Sequence, residues 1–67
     1  MQRGEAVDVD KLRELRIDAG LSQRLLAERA NISNTSVWKI ERGGGANPAT
    51  LKKIADVLGV RASELAK

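Results

Sequence analysis

The 67-residue sequence predicts an all-α fold of five short helices in a single domain. Three observations carry that expectation. Apolar residues recur every three or four positions, the period of one helix face, and nowhere alternate in the two-residue rhythm of a strand. The first four apolar stretches open beside Asp, Ser or Asn, whose side chains accept hydrogen bonds from the free N–H groups of a first turn. The same four close on Gly or Asn, which tolerate the left-handed backbone of a helix end.

Residues 1–8 show mixed charge without periodicity and read as a flexible N-terminal arm, leaving 9–67 as the domain. Asp8 or Asp10 can cap the first helix, on which Leu12, Leu15 and Ala19 recur before Gly20. Ser22 caps a second helix over Gln23–Ala30, with Leu26, Ala27 and Ala30 on one side and Asn31 as its break. Ser33 caps a third, expected to reach Arg42, where Gly43, Gly44 and Gly45 end it at about 1 kcal/mol each relative to Ala. Asn47 and Pro48 open a fourth, since proline suits the first helical position; Leu51, Ile54, Ala55 and Leu58 form its stripe and Gly59 its end. Val60 reads as a buried connector. A fifth helix over Ala62–Ala66 carries Leu65 behind Arg61, a poor capping residue.

Composition narrows the function. The chain has neither Cys nor His, so disulfides and the usual zinc ligands are excluded. No paired carboxylates flank a pocket, and the residues of acid–base or nucleophilic catalysis are scarce, which argues against an enzyme and a small-molecule substrate. No cofactor is implied. Apolar runs are too short for a bilayer and no signal segment opens the chain, so a cytoplasmic protein without membrane contact is expected. The net charge is +3. Residues 1–33 balance six basic against six acidic side chains, whereas 34–67 carry six against three, so the excess lies in the second half. That bias suits a polyanion partner.

The third helix concentrates the signal. At about 100° per residue, Val37 and Ile40 define its core side. Thr35, Lys39 and Arg42 fall opposite, Trp38 lies on the outward half, and Asn34 sits at its edge. Asn and Lys can bond to base edges in a major groove, while Thr and Arg can reach bases or phosphates. A solvated helix face would also be polar and charged. The arrangement around it is more telling: two short helices joined by a tight turn, with small Ala27 where they cross, form the unit that places a second helix in the major groove.

From Leu12 to Leu65 the chain resembles the lambda-repressor-like (Cro/repressor-type) helix–turn–helix domains. The matching stretches are "LRELR", "LSQRLLAE", "NISNTSVWKIERG" and "NPATLKKIADVLGV". The resemblance implies a compact five-helix domain that binds double-stranded DNA with its third helix, acts as a transcriptional regulator such as a repressor, and works as a homodimer on a palindromic site. It implies base contacts from Asn34, Thr35 and Lys39, and backbone contacts from Gln23, Ser36 and Arg42. It also implies an Arg16–Glu41 ion pair tying the first helix to the end of the third. The residues are compatible with that pair, because Arg16 borders one apolar stripe and Glu41 another; two independent surface charges are the alternative. The sequence departs from the family's pattern at Asn31, where Gly is usual, in the uncharged "GGGAN" loop, and at the apolar Leu25. Leu25 is either a partner contact or a tolerated surface leucine.

Trp38, the only aromatic residue, keeps two readings. Its ring either folds back as a lid over the glycine loop, or lies at the DNA surface against sugar and phosphate. A different class of function also stands: a protein-interaction or antitoxin-type module, with Trp38 as the anchor for a protein partner.

Overall fold

Five helices surround one aliphatic core in the computed structural model, which describes residues 6–67. They are α1 (Val9–Asp18), α2 (Gln23–Ala30), α3 (Asn34–Lys39), α4 (Pro48–Leu58) and α5 (Ala62–Leu65). Each gives the core one side chain that is essentially inaccessible: Leu12, Leu26, Val37, Ile54 and Leu65 in turn. Ala27, Ala30 and Ala55 are buried where helices approach closely, and Leu21, Ile40, Ala46 and Leu51 fill the remaining gaps. Among the described residues no helix is long and apolar enough to cross a membrane.

The caps account for the helix starts. Asp8 takes the first, its carboxylate accepting from Lys11 N at 3.1 Å. Ser22 Oγ accepts from Leu25 N at 3.0 Å, Ser33 Oγ from Ser36 N at 3.0 Å, and Asn47 Oδ1 from Thr50 N at 2.8 Å. At α5 the side chain of Glu64 compensates for the missing cap by accepting from Arg61 N at 2.9 Å. Asn31 ends α2 in the left-handed region (φ 57°, ψ 45°), which the short polar side chain of Asn tolerates.

The expected boundaries need correcting in several places. Residues 1–5 of the arm lie outside the described residues. Residues 6–8 belong to the folded unit: Val7 is buried and forms an antiparallel bridge with Ala66. Asp8 N donates to Leu65 O at 2.8 Å, and Lys67 N to Ala6 O at 2.9 Å, so the two ends of the domain are pinned together. Ala19 is exposed rather than part of the α1 stripe, because the helix stops at Asp18. Val60 is only half-buried; its N–H donates to Ala55 O and closes the turn after α4. The fifth helix ends at Leu65, where Ala66 leaves for the bridge.

Helical winding continues past Lys39 as far as Arg42 and breaks at Gly43, whose φ is 91°. The glycine run has a steric cause. A Cβ at Gly44 would stand 2.8 Å from the carbonyl oxygen of Lys39, and Gly45 adopts φ 74°, ψ 175°, a region nearly restricted to glycine. The sharp exit directs the chain from the end of α3 straight into the cap of α4.

Candidate nucleic-acid interface

α2 and α3 are joined by the tight turn Asn31–Ser33, in which Ile32 N donates to Ala27 O at 2.9 Å. Ile32, partly buried, packs against the core between them. Val37 and Ile40 hold α3 down by its inner side. The opposite side is presented outward: Asn34, Thr35, Trp38, Lys39 and Arg42 are all exposed. Ser36 is half-buried, with its hydroxyl 2.8 Å from that of Ser33.

Trp38 is 46% exposed. The guanidinium of Arg42, one turn on, lies over the indole at 4.5 Å from the ring centroid. Such a stack combines the attraction of a cation for a ring face with dispersion. It also gives two exposed, otherwise mobile groups a shared geometry. Trp38, Lys39 and Arg42 border an open cleft of about 440 Å³ that is also lined by the glycine loop, by Asn47 and by Thr50 of α4.

Glu41 is the acidic residue of this region, and it is turned inward. Its side chain is only 4% exposed, while the Arg16 side chain is 13% exposed. Arg16 donates from Nε to Oε2 at 2.7 Å and from a terminal nitrogen to Oε1 at 3.0 Å, the two-pronged geometry a guanidinium offers a carboxylate. The other terminal nitrogen donates to Leu21 O at 2.9 Å, which anchors the α1–α2 turn to the same cluster. Gln23, at the start of α2, donates from Nε2 to Glu41 Oε1 at 3.2 Å. Arg13 Nε stands 3.8 Å from the same oxygen. One carboxylate thus gathers α1, α2 and the end of α3.

The site residues read from the sequence, half-buried Ser36 apart, fall into two groups. Asn34, Thr35, Trp38, Lys39 and Arg42 share the outer side of α3 and its continuation. Gln23, Arg16 and Glu41 form the network behind the start of α2, so Gln23 is already engaged through one of its N–H groups. Arg13 escaped the sequence reading; its position three residues before Arg16, on the same helical face, was the available signal. Ile17 escaped it too: at 62% exposed it is the most accessible large apolar side chain among the described residues, beside Leu25 at 40%. Among the described residues no cluster of His, Cys, Asp and Glu could hold a metal ion.

Comparison with known proteins places this geometry. A search of curated proteins finds no match to the sequence. Among solved structures, the restriction–modification controller protein C.AhdI of Aeromonas hydrophila is 33% identical with a TM-score of 0.78, over 84% of this chain and 86% of that one. SinR, a master regulator for biofilm formation crystallised in complex with DNA, is 30% identical with a TM-score of 0.73, over 82% and 90%. An HTH_3-family transcriptional regulator from Vibrio cholerae is 35% identical with a TM-score of 0.72 over 84% of this chain. This chain spans 32% of that regulator and 61% of the clp gene regulator ClgR of Corynebacterium glutamicum. The fold alone is shared with HppE, at 24% identity and a TM-score of 0.77. The helix–turn–helix family model HTH_3 matches residues 12–65. With that match over most of its length, the chain belongs to the HTH_3 helix–turn–helix family.

Proposed function

We propose that the chain is a transcriptional regulator that binds double-stranded DNA sequence-specifically, with α3 in the major groove. The observation that carries this reading is the electrostatic sorting of α3 and its continuation. The acidic Glu41 is buried and neutralised by Arg16, whereas Lys39, Arg42 and the hydrogen-bonding Asn34 and Thr35 face outward. A face built this way meets a polyanion without like-charge repulsion. Family membership and the DNA-bound SinR structure support the same reading.

In this reading Asn34, Thr35 and Lys39 contact base edges, which specify sequence. Gln23, Ser36, Trp38 and Arg42 contact the sugar–phosphate backbone, which fixes register. One such module reads few base pairs, so a homodimer on a palindromic operator, with half-sites about one helical turn apart, supplies the needed length. The regulator, a repressor in this reading, works in the cytoplasm at the nucleoid and needs no cofactor.

Selection of bound sites from random duplexes tests the proposal. A palindromic consensus is expected, and Lys39→Ala or Asn34→Ala should relax preference at one or two base pairs per half-site, by about 1–3 kcal/mol each. An unchanged consensus in both variants would move the reading face elsewhere. Salt separates DNA binding from a protein-interaction module anchored on Trp38. Duplex binding weakens steeply with salt through counterion release, whereas an aromatic-centred protein interface does not.

A further inference from the structure

Trp38 stays 46% exposed even with the Arg42 guanidinium 4.5 Å from its ring centroid. That stack occupies one face of the indole and gives the ring a seat. The opposite face and the rim are left for contact with something outside the chain.

The angular position of the ring is informative. Asn34–Lys39 is regular α-helix. At about 100° per residue, Trp38 lies about 40° around that helix from Asn34 and about 60° from Thr35, so it falls between the two directions, one turn further along. All three side chains are exposed, and the indole reaches further than either of the others. A groove that receives Asn34 and Thr35 therefore receives the ring as well. What the ring can meet there follows from its chemistry. Its single polar atom is the Nε1 donor. The rest of the ring would strip water from a base carbonyl or amino group without replacing the hydrogen bond, which is costly. The apolar group that base pairs present in the major groove is the methyl at C5 of thymine.

We propose that Trp38 is a specificity-determining residue that reads the 5-methyl group of a pyrimidine in the bound duplex. This rests on the duplex-binding reading above and extends the contact of Trp38 from the sugar–phosphate wall to the base beside it. Thymine and 5-methylcytosine carry the same methyl at C5. Trp38 therefore accepts either and disfavours unmethylated cytosine. Binding to a site with cytosine at this position becomes responsive to cytosine-5 methylation of the DNA.

Methyl scanning of the sites selected from random duplexes tests this. Each thymidine is replaced in turn by deoxyuridine, which keeps every hydrogen-bonding group and lacks only the methyl. The position that responds is then remade with cytosine and with 5-methylcytosine. At one thymidine per half-site the exchange should weaken wild-type binding about fourfold, the weight of one buried methyl-sized group. 5-Methylcytosine there should bind better than cytosine by a similar factor. Trp38→Ala should bind thymidine and deoxyuridine duplexes alike, and so should Trp38→Gln, which keeps a long side chain without the ring. A wild-type protein indifferent to every deoxyuridine exchange overturns the proposal without recourse to a variant. A methyl effect that survives in either variant overturns it too. In both cases steep salt dependence of wild-type binding would leave the duplex-binding reading standing. A wild-type chain that binds no duplex would remove both.

Discussion

Glu41→Ala should nearly unfold this protein. The substitution deletes a carboxylate that accepts from Arg16 at 2.7 and 3.0 Å and from Gln23 at 3.2 Å, almost out of contact with water. Removing one partner of a buried pair leaves the other charge uncompensated, at a cost of about 3–5 kcal/mol. Here the Arg16 side chain is 13% exposed and keeps its bond to Leu21 O, which lowers the expected loss to about 2–4 kcal/mol. A chain of this size rarely holds more than about 3–5 kcal/mol in total. With about 4–8 °C lost per kcal/mol in a domain this small, the melting point should fall by roughly 10–30 °C. Thermal and urea melts followed by far-UV circular dichroism, on the wild type, Glu41→Ala, Arg16→Ala and the double variant, measure it. The double variant should be more stable than the sum of the single losses predicts, by at least about 1 kcal/mol. A double variant equal to that sum within about 0.5 kcal/mol would refute the pairing argument, because contacts that matter to one another do not add.

Three further substitutions probe other parts of the structure. Gly44→Ala pushes a methyl group to 2.8 Å from the Lys39 carbonyl oxygen, so the turn after α3 must shift. A loss of about 1–3 kcal/mol is expected by thermal melting, and an unchanged melt would show that the turn yields freely. Gln23→Ala should weaken binding to specific and unrelated duplexes by similar factors, since a phosphate contact positions without specifying; a loss confined to one base position in a competition assay would contradict this. Trp38→Ala removes a ring that is nearly half exposed, so its stability cost should stay well under the ~3–5 kcal/mol of a buried ring. The wild-type indole fluorescence should change on adding duplex, and a variant that melts far below wild type while that emission stays constant would make Trp38 a structural lid.

How far the sequence could be read depended on the range of the interaction involved. α2 and α4 were legible because both ends of each carry local signals: Ser22 and Asn31, Asn47 and Gly59. The exit of α3 was not. Periodicity distinguishes an inner side from an outer one, but it does not show how the chain leaves the helix once it breaks at Gly43. What demands glycine at 44 is its approach to the Lys39 carbonyl, a contact visible only in three dimensions. The burial of Val7 was hidden for a similar reason, since its partner Ala66 lies at the other end of the chain.

The same logic separates the two halves of the candidate interface. Residues on the outer side of α3 follow from spacing alone. The network around Glu41 does not, because Arg13, Arg16 and Gln23 are brought to it from sequence distances of 18 to 28 residues. Only the Arg16 pairing could be anticipated, and that through family resemblance. Trp38 falls between these cases. Its outward direction was legible, but what makes an exposed indole tolerable is Arg42 on its face, a partner four residues on that the i, i+4 rule allows. The stack covers part of the ring from water and restrains an arginine that would otherwise sample many rotamers. In the proposed duplex-binding reading, restraining Arg42 before binding leaves less side-chain entropy to be lost on a phosphate contact. The lone aromatic residue of this chain is therefore better understood as a support for a cation at the surface than as a piece of core that failed to be buried.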